Sequence, residues 1–232
     1  MKCAGIFCLA LLSTPTIPAW TPQSDPGAWI DLGRDNLCVT EGAIEKSGDR
    51  MKVDVPKMRA YATVATAHSA EVRFAYLGPT SKDVPLGSGE MRRQFGMKLR
   101  AQDPCNLVYA IWRIEPESKL VVSVKRNPGQ HTSGQCSNHG YQNIKPAKAS
   151  PVPRLEPGKV HSFRAEMKRD ELRVYVDNRE VWEGLVGADA ASLEGRVGVR
   201  SDNARIEFDL KARKPEGTGG HAQPCNTGAG SD

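Results

Sequence analysis

Helical periodicity is what this 232-residue chain has least of. No stretch of three or more turns repeats apolar residues at the spacing that buries one helical face; only Ala188 to Leu193 offers a short helical turn. Helix bundles and parallel sheets flanked by helices are thereby excluded. No repeat of fixed period is visible, which excludes solenoids and propellers. The recognisable catalytic signatures are missing too. No paired-acid Glu-x-Asp-x-x-Glu strand occurs, and in Glu115-Pro116-Glu117 the proline interrupts the strand and spoils the alternation. Gly87-Ser88-Gly89 lacks the spacing of a nucleophile elbow. Histidine-glutamate zinc helices and phosphate-cradling glycine loops are also absent, so no metal and no cofactor is expected.

The net charge of +5 includes Lys2, and the cations lie among acids along every candidate strand. A nucleic-acid binder would gather them into one basic stripe, so a nucleic-acid partner is not expected. A mildly positive surface suits an acidic polysaccharide or a negatively charged envelope.

Lys2, the apolar run Ala4 to Leu12 and the small residue Ala19 have the three parts of a secretory signal, so residues 1–19 are read as a cleaved leader. The run is about 10 residues, short of the roughly 20 that span a bilayer. Secretion or residence in a periplasm follows, with no transmembrane segment. A lipid anchor at Cys8 is the less favoured form of export, because Gly5-Ile6-Phe7 lacks the small residue expected just ahead of it.

Export leaves Cys38, Cys105, Cys136 and Cys225, an even number in an oxidising compartment. Three pairings are possible. The favoured one joins Cys105 to Cys136, across the next strand pair, and Cys38 to Cys225, tying the two ends of the domain. No pair has the close ligand spacing of structural zinc.

What the chain has in abundance is alternation. Phe163, Ala165 and Met167 alternate with Arg164, Glu166 and Lys168; Arg169-Asp170 turns the chain into Leu172, Val174 and Val176; Asp177-Asn178 turns it again toward Val181-Trp182. Val197 and Val199 follow Gly195, Asp202-Asn203 reverses the chain, and Ala204, Ile206, Phe208 and Leu210 close the set. Ribbons dry on one side need a second sheet to pack against. The run Arg173-Val174-Tyr175-Val176-Asp177-Asn178, then Gly195 through Phe208, resembles the closing strands of concanavalin A-like jelly rolls, including laminin G-like and 3-keto-disaccharide hydrolase-like domains. The resemblance covers roughly a quarter of the chain. It implies an all-β fold of two stacked antiparallel sheets, with a concave face that often holds a saccharide. Residues 20–213 form one such domain, and residues 214–232, rich in Gly, Thr, Ala and Ser, a flexible tail anchored at Cys225.

Upstream, Met51 to Val55, Tyr61 to Ala67 and Glu71 to Leu77 read as strands, and residues 78–89 as a mobile polar loop. In Gln94 to Ala101, Phe95, Met97 and Leu99 share one face; in the returning strand Val108, Ala110, Trp112 and Ile114 share one face and Tyr109, Ile111, Arg113 and Glu115 the other. With the apolar set inward, Tyr109, Arg113 and Glu115 lie beside Lys98 and Arg100 on the opposite surface. An aromatic platform with ammonium and guanidinium donors is what a sugar groove needs: rings for C–H faces, cations for hydroxyls and acidic groups. Solvated side chains on a wet face, with Glu115 pairing to Arg113 or to Lys98, give the same pattern without a ligand.

Residues 127–157 lose their period, and the polar loop containing Cys136 carries His139 and Tyr141. Polysaccharide lyases on jelly rolls abstract a proton with His or Tyr while Arg, Asn or Gln neutralises the uronate, so His139 and Tyr141 are the candidate catalytic pair. The favoured reading is a lectin-like, exported, disulfide-bonded protein binding polysaccharide or another glycan without turnover, acidic sugars included. The alternatives are a lyase or glycoside hydrolase on the same scaffold, and an adhesive envelope protein that binds a protein partner.

Overall fold

The computed structural model describes residues 27–215 and Cys225. The chain runs through β1 (Trp29–Leu32), β2 (Leu37–Glu41), β3 (Glu45–Ser47), β4 (Arg50–Val53), β5 (Lys57–Ala62), β6 (Ser69–Pro79), β7 (Arg93–Asp103), β8 (Asn106–Glu115) and β9 (Lys119–Lys125). A single turn, α1 (Ser133–Cys136), precedes β10 (Tyr141–Asn143), β11 (Lys148–Ala149), β12 (Val160–Lys168), β13 (Glu171–Val176) and β14 (Arg179–Leu185). The short α2 (Ala188–Ala191) leads to β15 (Arg196–Asp202) and β16 (Ala204–Arg213).

Two antiparallel sheets result. The back sheet has nine strands, ordered β11-β14-β13-β12-β6-β16-β4-β3, with β1 also paired to β16. The front sheet has seven, ordered β10-β9-β8-β7-β15-β5-β2. Between them lie the inward residues of each alternating ribbon: Phe95, Met97 and Leu99 of β7 and Val108, Ala110 and Trp112 of β8 face Phe163, Val174 and Phe208 from the back sheet, all fully buried. Trp112 meets Phe74 and Phe163 edge-on, at 5.7 and 5.8 Å between ring centroids. Each such side chain contributes roughly 1.5–3 kcal/mol by leaving water.

The turns follow their residues. Arg169, Asp177, Asn178 and Asn203 all have positive φ, a region Asn and Asp tolerate better than most. The meander β12-β13-β14 pairs as the alternation predicts. Asp202-Asn203 differs: it carries the chain from the front sheet, where β15 pairs with β5 and β7, to the back sheet, where β16 pairs with β6 and β4. Alternation alone cannot distinguish a hairpin from a sheet crossing.

Other boundaries also move. The strand expected from Tyr61 to Ala67 is β5 and ends at Ala62, and the aperiodic 127–157 region adds the short edge strands β10 and β11. The loop after β6, expected to be mobile, is held by the buried Asn203: its Oδ1 accepts from Val84 N at 2.8 Å, and its Nδ2 donates to the carbonyls of Val84 at 2.7 Å and Arg92 at 2.9 Å. Disulfides join Cys105 to Cys136 and Cys38 to Cys225. The leader expected at residues 1–19 and the tail beyond residue 215, Cys225 apart, lie outside the described residues.

Candidate functional site on the outer face of the front sheet

The register of the front sheet places one outward residue from each strand in a single row: Cys38, Tyr61, Gly198, Lys98, Tyr109, Ser123 and Asn143. The adjacent row runs Arg59, Arg200, Gly96, Ile111 and Val121. Gly198 and Gly96 put no side chain between their neighbours, which lets the stems of Lys98 and Arg200 lie low on the sheet.

Tyr109 and Tyr141 stack, with ring centroids 6.0 Å apart and planes inclined by 21°. Cations sit over both: the Lys125 ammonium is 5.1 Å from the Tyr141 ring centre, and the Arg200 guanidinium 5.2 Å from that of Tyr109. Arg200 Nη1 also donates to the Tyr141 hydroxyl at 3.4 Å. Burial would raise the Tyr141 phenol, but Arg200 and Lys125 outweigh it and hold it below the usual tyrosine range. Burial pushes the Tyr109 phenol up.

One carboxylate anchors the arginines. Asp202, wholly buried, accepts from Arg59 at 2.5 Å, Arg200 Nε at 2.7 Å and Gln94 Nε2 at 2.7 Å. Burial alone would raise its pKa; Arg200 and Arg59 reverse that and hold it at about 2. Arg59 is further fixed by the carbonyls of Met58 and Ser201, both at 2.8 Å, and lies 3.8 Å from Glu41. Lys98, only 6% exposed, makes no hydrogen bond or ion pair among the described residues. Burial first, then the charges of Arg59 and Arg200, bring its pKa down to about 7.

The stapled loop closes one end of this face. The Gln130 carbonyl accepts from Asn106 Nδ2 at 2.9 Å, and Lys125 Nζ donates to the Ser137 carbonyl at 2.8 Å. Leu107, which clusters with Ala101, Tyr109 and Ile111 on this face, is fully buried.

Of the residues singled out by sequence, Lys98, Tyr109 and Tyr141 come together here. Arg113 lies on the same face, opposite Gln94, half-buried and beyond Ile111. Glu115 is taken by Arg93, which also binds Asp83 at 2.5 Å, so it belongs to a peripheral ion-pair cluster. His139 is exposed in the turn before β10, and its ring makes no hydrogen bond among the described residues. Arg100 departs from the expectation. Its φ of 48° marks a bulge in β7: Lys98 and Ala101 both face outward, and the extra residue swings away. Its guanidinium donates to the carbonyls of Ala191 at 2.9 Å, Leu193 at 2.8 Å and Arg169 at 3.2 Å, fastening α2 and the β12-β13 turn.

Strand-by-strand reading missed Arg59, Tyr61, Lys125, Arg200, Asp202 and Gln94. The signal for two of them was present, since Arg200 and Asp202 alternate with Val197, Val199 and Ser201.

No protein-family model matches the chain, and no curated protein matches its sequence. Among solved structures it is similar to the carbohydrate-binding module CBM66 from Bacillus subtilis, with a TM-score of 0.53 and 14% identity over 76% of this chain and 95% of that one. It is also similar to a Crh5 transglycosylase in complex with NAG (TM-score 0.46, 10% identity, 82% and 84% of the two chains) and to the Emp46p carbohydrate recognition domain (0.48, 12%, 76% and 87%). Together with the two-sheet topology, the match to the module makes the fold a concanavalin A-like jelly roll.

Proposed function

We propose that this protein is an exported glycan-binding module whose recognition surface is the outer face of the front sheet. The observation that carries the reading is the stacked Tyr109–Tyr141 pair with Lys125 and Arg200 against its rings. Tyr141 keeps 40% of its surface exposed, offering a sugar ring an apolar platform, while Arg200, Lys98 and Asn143 supply donors around it. The two disulfides suit an oxidising compartment, and no helix among the described residues is long and apolar enough to cross a membrane.

Binding without hydrolysis is favoured by the state of the buried acid. A glycosidase needs a carboxyl group that holds a proton near neutrality, and Asp202 is clamped in its ionised form by two arginines. A lyase is the second reading, favoured by the lowered Tyr141 phenol beside Arg200. An array of neutral and acidic polysaccharides probed with the full chain and with Tyr141→Ala tests the proposal. Retention of intact glycan by the first and not the second is the expected result. Release of unsaturated uronate products would select the lyase, and retention of no glycan would overturn the assignment.

A further inference from the structure

Lys98 is the charged group on this face whose position is hardest to account for by folding alone. The residue is only 6% exposed, and its ammonium, which is not among the nitrogens shut off from solvent, has no partner among the described residues. Stripping most of the water from a cation without giving it a partner is costly, and the cost recurs in every folded molecule unless something compensates it. The neighbours do not. Arg59 and Arg200 flank it with like charge, and the nearby carboxylates are already engaged: Asp202 by both arginines, Glu41 at 3.8 Å from Arg59. Arg200 also has donors to spare, because Asp202 takes its Nε and the Tyr141 hydroxyl its Nη1, while Nη2 has no protein acceptor among the described residues.

We propose that Lys98 Nζ and Arg200 Nη2 form a receptor for one oxyanion of the bound glycan, so that the module selects acidic saccharides over neutral ones. The inference rests on the glycan reading above. A carboxylate or sulfate oxygen held there would answer the unpaired charge of Lys98 while the sugar ring lies on Tyr141, and Asp202 would act as the orienting acid that keeps the Arg200 fork turned toward it. Gly198, beside Lys98 in the cross-strand row, leaves the ammonium reachable from above the sheet. The groups facing Lys98 from the surrounding strands are Glu41, Arg59, Tyr61, Arg200, Asp202 and Tyr109, two cations and two carboxylates among them, so with Lys98 itself the cluster carries a net positive charge.

Calorimetry with matched oligosaccharides tests the receptor: oligogalacturonate, a sulfated galactan and neutral galactan, against the full chain, Lys98→Met and Lys98→Arg. The expected result is that an acidic series, uronate or sulfate, binds about tenfold or more tighter than the neutral one, equivalent to about 1.4 kcal/mol. Which acidic series wins identifies the source of the oxyanion. Lys98→Met should abolish the preference, read as the ratio of acidic to neutral affinity, and Lys98→Arg should restore part of it. Equal affinity for acidic and neutral ligands, or a preference that survives Lys98→Met, overturns the proposal. A lysine-labelled sample titrated with glucuronate and with sulfate keeps the test independent of the glycan reading. An upward shift in the Lys98 side-chain titration midpoint supports the receptor even if no oligosaccharide binds, and an unmoved midpoint overturns it.

Discussion

Tyr109 and Tyr141 belong to strands separated by β9, and their rings nonetheless stack at 6.0 Å because Tyr141 pairs with Lys125, two residues along from the Ser123 that pairs with Tyr109. Tyr109 is buried and Tyr141 is not, so the inner ring backs the exposed outer one. Tyr141→Ala should weaken glycan affinity about 5- to 30-fold, roughly 1–2 kcal/mol, with a melting temperature close to that of the parent. Calorimetry and thermal unfolding on the same preparations check both halves.

Lys98 makes stability depend on pH in an unusual direction. Its folded pKa of about 7 lies below the ordinary 10.5, so between those values the unfolded chain binds the proton more tightly. Stability from this group therefore rises as pH increases from about 7 to about 10.5. Lys98→Met should stabilise the protein by about 1–3 kcal/mol at mildly acidic pH, and by progressively less as the solution becomes alkaline. Denaturant titrations at several pH values measure it; an equal gain at every pH would contradict the linkage.

Asp202 works in the opposite sense. With a folded pKa of about 2 against an ordinary 3.8, it adds stability that is fully present above 3.8 and is lost as pH falls toward 2. Asp202→Asn should cost about 3–5 kcal/mol by leaving Arg59 and Arg200 without their shared counter-charge, and should flatten the acid limb of the stability profile. Fluorescence of the buried Trp112, followed during acid titration, reports the loss.

Arg100 separates a structural arginine from a recognition arginine. Arg100→Ala strips donors from the carbonyls of Ala191, Leu193 and Arg169 and should destabilise by about 2–4 kcal/mol. Glycan affinity of the folded fraction should be unchanged. A selective loss of affinity would return Arg100 to the recognition face.

The Cys105–Cys136 bridge closes a loop of 31 residues, and its removal by Cys105→Ser with Cys136→Ser should cost about 3–4 kcal/mol. Because α1 supports the acceptor of Lys125, the variant should also bind glycan less well. Hydrogen exchange at Leu107 and Lys125 would rise together if the loop is the cover of that end of the face.

The inward set of the sandwich was legible because apolar and polar residues alternate cleanly in β12 and β13 and largely in β7, and a strand dry on one side permits one packing, whereas β8 carries apolar groups on both faces. The outer face was only half legible. Lys98 and Tyr109 follow from the parity of their strands, but Arg100 does not: a single positive-φ residue resets parity, and nothing in Leu99-Arg100-Ala101 announces it. Arg59 and Arg200 escaped for a different reason. They become neighbours of Lys98 only through strand order, with β15 inserted between β7 and β5, and pairings between distant segments leave no local mark. Tyr141 was noticed for its chemistry in an aperiodic loop, yet that loop supplies the edge strand β10.

Gly96 and Gly198 set a limit on how this surface can change. A methyl group at Gly198 would come within 2.2 Å of the Ala60 carbonyl oxygen, and one at Gly96 within 2.3 Å of the Ala110 carbonyl oxygen. Backbone blocks both, and backbone in mid-sheet cannot step aside as a side-chain tip can. The height of the sheet surface at Gly96 and Gly198 is thus fixed by main-chain crowding, which admits glycine alone. New specificities on this scaffold are reached by exchanging the walls, Tyr61, Tyr141 or Lys125, while the floor stays where it is.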